Sequence, residues 1–381
     1  MSNVKYHFMK KFFLITTIPI SLSFFEKQIS EINKIFDVTL VSSPGSELKK
    51  IADTEKVKFK SIAMKREISL KDDILSFSKF LWLFSTQRPD VIHCNTPKAS
   101  LLSLVAGYMT RTPNRIYYIH GLRYEGATGK KRKLLKNIEK LNCFCATHII
   151  AVSNGVKQKV EQQLTSKQVD VINYGSANGL DINEFSNHNY NAKIIREEYG
   201  ISENDFVFGF VGRLVKDKGI GELVGAFNQL EQKDIKLILV GKYEPDLDPL
   251  SQETLQIIKS NPNIIEVGFQ KDVKKFLSIM DLFVSPSHRE GFGVAVLEAN
   301  LMKVPVLVSN ITGHSEIVTQ GINGFFVNPK NMLHLQEKMN HMLAIKEQLI
   351  KMKNACREEV MKKYDHNDVL KQAMLFYSQF N

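Results

Sequence analysis

The chain has 381 residues, of which 43% are hydrophobic and 24% are charged, and its formal net charge is +11. These proportions exclude a disordered or fibrous chain. The chain is longer than a domain with one ordinary hydrophobic core, so the sequence predicts two globular domains. A continuous apolar run of about 20 residues, which a membrane-spanning helix requires, does not occur in the sequence.

The positive charge is concentrated in the first half. Residues 1–178 contain 28 Lys and Arg against 14 Asp and Glu, whereas the remaining residues contain 23 against 26. Zinc-finger spacing, aromatic RNA-binding motifs and heptad repeats are missing, which argues against a nucleic-acid partner. The basic half is expected instead to meet an anionic lipid surface or a phosphate-bearing substrate.

Two features bear on the cellular compartment. The four cysteines form no CxxC pair and are too sparse for a disulfide scaffold, which is typical of a reducing compartment. Lys10 and Lys11 precede an apolar stretch at 12–25, as in a secretion signal, but Thr16, Thr17 and Pro19 interrupt that stretch. We therefore expect a first β-strand at 12–16 rather than a cleaved leader.

Short apolar segments alternate with helical patterns in the first half. The predicted strands are 12–16, 38–41, 91–94, 115–120, 148–152 and 169–173, and the predicted helices include 70–87, 98–109 and 130–142. Such alternation predicts βαβ units, a parallel sheet and helices on both of its faces.

The alternation stops at the turn-rich segment 174–179 and then resumes. The second set of predicted strands is 206–212, 236–241, 264–268, 282–285, 304–309 and 324–327, and two helices broken near 364–366 follow from about residue 331. We predict an α/β protein with two doubly wound, Rossmann-like domains facing each other across a ligand cleft. The expected bounds are 1–178 and 179–364, with a C-terminal helix at 365–381 packing toward the first domain.

The most informative stretch is 281–299, which reads as strand, loop and helix. Glu290 falls in the loop, and Glu298 is expected about two turns into the helix. The glycines around residue 292 allow a ligand to approach the backbone, and a helix start attracts anions such as phosphate. The alternative is an ordinary strand-to-helix connection with two solvated glutamates.

Two further positions follow predicted strands. Gly212 and Arg213 end the first strand of the second domain, and Lys218 precedes a helix start, so the two cations form a plausible diphosphate clamp. A solvated basic rim is the alternative. His120 ends the predicted strand at 115–120, at the sheet edge where ligands bind, although a lone histidine is often a structural hydrogen-bonding residue.

The sequence also offers a candidate metal motif, Asp246-Leu247-Asp248. Because Asp248 precedes Pro249 and a helical pattern, we interpret Asp248 as a helix N-cap with Pro249 at the first helical position. No metal site is predicted.

Two stretches are candidates for contact with a membrane surface. Residues 130–136 combine Lys130, Lys131, Arg132 and Lys133 with leucines, which fits either a solvated helix face above a core stripe or a helix lying on a membrane. The second candidate is the aromatic-rich segment 77–84, for which core packing is an equally good explanation.

Taken together, these motifs resemble those of the family 4 retaining glycosyltransferases, which have the GT-B fold of two Rossmann-like domains. Glu290 and Glu298 match the family's E-x7-E motif, and Gly212-Arg213 with Lys218 matches its G-R-x-x-x-x-K element. Segments 313–316 and 321–324 match its later glycine-containing turns.

The resemblance implies roles for individual residues. Glu290 and His120 would contact the donor sugar, Glu298 would accept hydrogen bonds from the nucleotide ribose, and Arg213 and Lys218 would balance the leaving diphosphate in place of a metal ion. The remaining donor-binding positions that it implies are Gly212, Gly268, Phe269, Gly291, Phe292, Gly293 and Val294. Attack from the leaving-group face would retain the anomeric configuration.

A narrower similarity is to bacterial transferases of capsule, O-antigen and protein-glycan assembly that extend a sugar on undecaprenyl diphosphate. It rests on segments 17–19, 64–68, 88–93, 97–99, 120–122 and 240–250. It implies a lipid-linked saccharide acceptor met at the cytoplasmic face of the cell membrane, with Arg66, Lys98 and residues 130–133 as candidate acceptor or membrane contacts. Many relatives carry a glycine pair where this chain has Thr16 to Ser21.

The expected function is therefore transfer of a hexose or N-acetylhexosamine from a nucleotide diphosphate sugar, with UDP as the expected nucleotide and no metal or other cofactor. Two alternatives remain open on the sequence: a retaining transferase with a soluble acceptor, and a non-catalytic protein that binds sugar nucleotides on the same fold.

Overall fold

The computed structural model describes residues 9–65, 69–185 and 190–381, and the chain divides into two compact units. The first unit is drawn from Met1–Gly179 and His366–Asn381, and the second is Leu180–Asp365. Within the described ranges, no helix is both long enough and apolar enough to cross a bilayer.

The first unit is built on a six-stranded parallel sheet. Its strands are β1 (Lys11–Ile15), β2 (Asp37–Ser42), β3 (Lys58–Ser61), β4 (Val91–Asn95), β5 (Asn114–Ile119) and β6 (His148–Ala151). Its helices are α1 (Gln28–Ile32), α2 (Ser46–Glu55), α3 (Leu70–Gln87), α4 (Pro97–Met109), α5 (Gly129–Cys145), α6 (Asn154–Gln163) and, from the chain end, α15 (His366–Ser378). The strand order is β3-β2-β1-β4-β5-β6. The central strands are buried on both faces, which explains their continuous apolar runs.

The second unit repeats this plan. Its strands are β7 (Phe206–Val211), β8 (Ile235–Val240), β9 (Ile264–Gly268), β10 (Leu282–Ser285), β11 (Val306–Ser309) and β12 (Gly324–Val327). Its helices are α7 (Ala192–Glu198), α8 (Ile220–Asn228), α9 (Gln252–Ser260), α10 (Lys274–Leu277), α11 (Val294–Leu301), α12 (Thr312–Ile317), α13 (Met332–Ala344) and α14 (Lys346–Tyr364). The strand order is β12-β11-β10-β7-β8-β9. Read from the β9 edge, with β7 taken as the first strand, this is the same order as in the first sheet.

In each sheet, the order in which successive strands are added reverses next to the first strand. This topological switch point lies between β1 and β4 in the first sheet and between β7 and β10 in the second. Connections leave opposite sides of the sheet at such a point, so the loops at the carboxyl ends of these strands flank an open crevice. The predicted α/β class with two doubly wound, GT-B-like domains is confirmed.

Several predicted elements need correction. The segment 169–173 forms a single bridge, between Asp170 and Ile150, because the chain turns away at Ile172–Gly175. The prediction missed β3, an edge strand whose residues are all exposed and half of them lysine, so that it carries no apolar run. The C-terminal part contains three helices, not two, since Ile345 separates α13 from α14.

Asp248 is not the helix N-cap that the sequence predicted. The N-cap of α9 is Ser251, whose hydroxyl accepts a hydrogen bond from the Thr254 N–H at 3.1 Å. The Asp248 carboxylate instead accepts the Asp217 backbone N–H at 2.8 Å. Asp248 therefore stabilises the short 3-10 turn that carries Lys218.

Candidate active site

Two loops meet at the carboxyl edge of the second sheet. One follows β7 and contains the 3-10 turn Lys216–Lys218, and the other follows β10 and leads into α11. Gly219 has φ of 72°, and a Cβ there would lie 2.2 Å from the carbonyl oxygen of Pro286. Only glycine allows the two loops to pack this closely.

Side-chain pairs join the 288–290 segment to the loop and helix that follow β7. Each pair joins an acidic group to a cation or a histidine: Glu290 with Lys218, Asp217 with Arg289 at 2.8 Å, and Glu222 with His288 at 2.7 Å. The His288 backbone N–H also donates to the Asp217 carbonyl at 2.9 Å. These contacts fix the loop that carries Glu290. No motif in the sequence predicts Asp217 or Glu222 in that role.

Glu290 is ionised in this environment. Burial opposes the charge, but Lys218 in direct contact, and Arg213 nearby, hold the pKa of its carboxyl below the ordinary value. An ionised carboxylate only accepts hydrogen bonds, so Glu290 is suited to orienting hydroxyl groups and is unsuited to donating a proton.

Arg213 also has an acidic partner. Its guanidinium lies 2.6 Å from Glu244, which follows β8 and whose side chain is 10% exposed. Both cations of the predicted diphosphate clamp therefore reach the sheet edge, and each already contacts a carboxylate. An incoming diphosphate would compete with Glu244 and Glu290 for these cations.

Glu298 lies nearer to the helix start than predicted. Helix α11 begins at Val294, because Gly293 takes a left-handed conformation with φ of 99°, so Glu298 lies about one turn into the helix and not two. Burial raises the pKa of its carboxyl to about 7, against the opposing effect of Lys274. Glu298 is therefore poised between its two protonation states near neutral pH.

The other predicted donor-binding residues lie on the same sheet edge. Gly212 follows β7, Gly268 ends β9, and the Phe269 side chain next to it is 70% exposed. Between Gly291 and α11, the buried Phe292 ring packs edge-on against Tyr364 at 5.3 Å, while Val294 is half exposed. Phe269 is thus free to stack on a ligand, whereas Phe292 holds the loop in place.

In the first unit, His120 directly follows β5 at the carboxyl edge of its sheet. Its Nε2 lies 3.0 Å from Oδ1 of Asn95, which ends β4, and its ring stacks on Tyr118 at 4.6 Å. Burial lowers the pKa of His120 to about 4, so the imidazole is neutral. At the adjacent switch point between β1 and β4, the hydroxyl groups of Thr17 and Thr96 form a hydrogen bond of 2.8 Å.

Sequence reasoning missed Asn95, Thr17 and Thr96. Thr96 has φ of 64°, a conformation that β-branched residues rarely adopt, and it lies between β4 and Pro97 at the start of α4. For Thr96, its position after a strand and directly before a proline that opens a helix was the available signal.

The predicted acceptor or membrane residues have different environments. Arg66 lies outside the described residues. Lys98 is 9% exposed and pairs with Asp73 at 2.7 Å, so it joins α4 to α3 rather than facing solvent. Lys130, Lys131, Arg132 and Lys133 are all exposed on the first turns of α5.

No group of three or more His, Cys, Asp or Glu side chains capable of holding a metal ion occurs in the part of the chain that the structure describes. The cations at this sheet edge are Arg213 and Lys218. That the reaction needs no metal stays a prediction.

Comparisons with known proteins identify the family. A model described as glycosyl transferases group 1 matches residues 191–359, and a model described as glycosyltransferase family 4 matches residues 33–176. The chain is 35% identical over 339 residues to the capsular polysaccharide biosynthesis glycosyltransferase CapM of Staphylococcus aureus, covering 88% of each protein. The chain therefore belongs to the glycosyltransferase family of CapM.

Other relatives of this glycosyltransferase agree in sequence or in fold. An Escherichia coli enzyme named UDP-Gal:alpha-D-GlcNAc-diphosphoundecaprenol alpha-1,3-galactosyltransferase is 27% identical over 304 residues, or 77% of each chain. The crystal structure of Anabaena HepE in complex with UDP-glucose superposes with a TM-score of 0.81 at 19% identity, covering 97% of this chain and 99% of that one. That likeness concerns the fold.

Proposed function

We propose that this glycosyltransferase moves a hexose or N-acetylhexosamine from a UDP-sugar to a lipid-linked saccharide, with retention of the anomeric configuration. The observation that carries the proposal is the pairing of Lys218 with Glu290, beside Arg213, at the switch point of the second sheet. This arrangement supplies cations for a diphosphate and a carboxylate for sugar hydroxyls in one place.

Donor binding would begin with an exchange of partners. The diphosphate takes Arg213 from Glu244 and Lys218 from Glu290, so both carboxylates gain free lone pairs as the nucleotide arrives. Glu290 then accepts from hydroxyls of the transferred sugar, and Glu298 accepts from the ribose. Phe269, exposed at the end of β9, is placed to stack on the base.

The chemical step needs no enzyme nucleophile. The bond between the anomeric carbon and the leaving phosphate oxygen breaks, and the acceptor hydroxyl forms its bond on the same face. The acceptor proton passes to the leaving phosphate oxygen, whose charge Arg213 and Lys218 neutralise. Glu290, released by Lys218 when the diphosphate binds, orients the sugar instead of attacking it.

The lipid-linked acceptor is supported by an exposed surface in the first unit. On α3, Leu70 is 77%, Ile74 65% and Trp82 68% exposed, whereas Phe80 and Phe84 are buried. The core-packing explanation of this segment therefore holds for Phe80 and Phe84 but fails for Trp82. Lys71 and Lys79 are exposed on the same helix.

A nearby helix of the first unit also carries exposed apolar residues. Helix α4 packs against both α3 and α5, and on α5 Leu134, Leu141 and Phe144 are 50%, 43% and 60% exposed. Leu134 and Leu141 therefore do not belong to a core stripe, whereas Leu135 and Ile138 of the same helix are partly buried. Apolar side chains interspersed with lysines suit the boundary between lipid head groups and acyl chains.

The direct experiment is incubation of the protein with UDP-sugars and an undecaprenyl-diphosphate-linked sugar, followed by NMR of the new anomeric centre. We expect a product with the configuration of the donor. An inverted product contradicts the mechanism. Equal use of a free sugar favours a soluble acceptor, and tight donor binding without turnover favours a sugar-nucleotide-binding protein.

A further inference from the structure

We infer that Asn95 is a positioning residue that holds His120 in a single neutral tautomer, so that Nδ1 of His120 accepts a hydrogen bond from a hydroxyl of the sugar substrate. The assignment of a substrate to His120 rests on the proposed function. The assignment of the tautomer rests on the hydrogen bonds around Asn95 alone.

The orientation of the Asn95 amide is fixed by its surroundings. Its Nδ2 lies 3.1 Å from the carbonyl oxygen of His93, 3.3 Å from that of Ile15 and 2.9 Å from the His93 Nδ1. A rotated amide would place its oxygen against two carbonyl oxygens, which have no proton to share. The nitrogen must therefore face these acceptors, and Oδ1 must face His120.

The tautomer of His120 follows from that orientation. Asn95 Oδ1 can only accept, so the His120 Nε2, 3.0 Å away, must carry the hydrogen. A neutral imidazole has only one N–H, so Nδ1 carries a lone pair and can only accept a hydrogen bond. Among the described residues, His120 Nδ1 has no hydrogen-bond partner.

The residues around His120 bury its ring without an ionic partner. Tyr118 stacks on the imidazole, and the rings of Phe24 and Phe25 lie 5.4 and 5.9 Å from it. These neighbours give an imidazolium no charged partner, and His93 behind Asn95 is itself buried and neutral, with a pKa lowered by burial to about 3.

The chemical consequence is selectivity for a hydrogen-bond donor. A lone pair at Nδ1 attracts a hydroxyl and repels a phosphate oxygen, so His120 would recognise the sugar and not the diphosphate. The network extends one step further, since the His93 Nε2 lies 3.0 Å from the Tyr377 hydroxyl on α15. The C-terminal helix therefore supports the residue behind Asn95.

The test is ¹⁵N–¹H long-range NMR of the full chain labelled at histidine, with His120 assigned from the signal lost in His120→Asn. At pH 7 we expect the wild-type His120 signal of a neutral ring protonated at Nε2. A ring protonated at Nδ1, or an imidazolium, overturns the inference. This measurement involves no substrate, so it stands even if no glycosyl transfer is found.

Two variants then test whether Asn95 fixes the tautomer of His120. Asn95→Ala should give mixed tautomers of His120, and Tyr377→Phe, the matched control, should leave the signal unchanged, because two carbonyls still orient the amide. An unchanged signal in Asn95→Ala, or a loss in both variants, contradicts the role of Asn95. Thermal unfolding of each variant separates a lost tautomer from a lost fold.

The activity assay tests the role of Nδ1. The amide of His120→Asn can place an oxygen near the former Nδ1, whereas that of His120→Gln reaches the former Nε2. We expect His120→Asn to retain at least about tenfold more kcat/KM than His120→Gln, the value of one hydrogen bond to a substrate. The reverse order would show that the donor at Nε2 matters instead.

Discussion

The carboxyl edges of the two sheets have the same topology and opposite chemistry. The edge of the second unit carries Arg213, Lys218 and Glu290, all charged and in contact with charged groups. The edge of the first unit carries the neutral imidazole of His120 and the amide of Asn95. One arrangement of strands thus supports two kinds of recognition.

The difference matches the division of roles in the proposed function. Charged pairs can exchange partners with an anionic ligand, so the second unit is suited to a diphosphate. Neutral donors and acceptors with a fixed orientation suit hydroxyl groups, so the first unit is suited to a sugar. The order of the strands fixes where the loops converge, and the loop residues decide what binds.

The largest effect is expected from removing a cation of the charged edge. Lys218→Ala should lower kcat/KM by about 100-fold to 1000-fold, because the leaving diphosphate loses a preorganised positive charge. The matched control is Lys216→Ala, two residues away on the same turn and exposed, which should stay within about twofold. Steady-state kinetics checks both variants, and equal losses would point to general electrostatics instead of a clamp.

The first unit also differs from the second in the exposed apolar face of α3, to which the proposed function assigns contact with a membrane. Replacing Ile74 and Trp82 together by Glu should weaken binding to phosphatidylglycerol vesicles by about tenfold or more, because apolar area is lost and negative charge is added. Vesicle flotation is the measurement.

The control for that surface is Leu333→Glu, a 62% exposed leucine on α13 of the second unit. It should leave vesicle binding unchanged. If both changes weaken binding equally, the membrane contact does not belong to the first unit.

The pH dependence of donor binding isolates Glu298. Its pKa of about 7 predicts that UDP affinity rises about tenfold from pH 6 to pH 8, as the carboxylate forms and accepts from the ribose. Glu298→Gln should flatten this dependence. Calorimetric titration at several pH values checks it, and a slope that survives in the variant would assign the titration to another group.

The same pKa predicts a stability effect of defined sign. A carboxyl whose pKa is raised in the folded state stabilises the protein while it is protonated, and this contribution is lost as the pH rises through 7. Wild-type protein should therefore lose thermal stability relative to Glu298→Gln between pH 6 and pH 8. A constant difference across that range would contradict the assignment.

A smaller effect is expected at Glu244, which competes for Arg213. Glu244→Gln should tighten UDP binding about threefold to tenfold, since the diphosphate no longer displaces a carboxylate. Calorimetric titration checks this. Weaker binding would show that Glu244 holds Arg213 in its productive position.

Much of the fold was predictable, because buried parallel strands are continuous apolar runs. Segments 264–268, 282–285 and 324–327 match β9, β10 and β12 residue for residue, whereas β3 was missed because it is exposed and rich in lysine. Edge position alone does not hide a strand, since β9 and β12 also lie at sheet edges; β3 lacks the apolar run that those two strands keep.

The candidate site was predictable in its residues but not in its pairings. The motifs identified Glu290, Arg213 and Lys218, yet the contacts of Glu244 with Arg213 and of Asp217 with Arg289 arise only through the tertiary fold. The depth of Glu298 in its helix depends on where Gly293 turns the chain, which loop packing determines. Asn95 was missed because an amide at a strand end has no distinctive sequence pattern.

The most direct test of the charged edge is calorimetric titration of UDP and uridine into wild-type protein and Lys218→Ala. If Lys218 exchanges Glu290 for the diphosphate, wild-type protein should prefer UDP over uridine by about 100-fold or more, and the variant should lose most of that preference. A preference that is unchanged in Lys218→Ala would contradict the account.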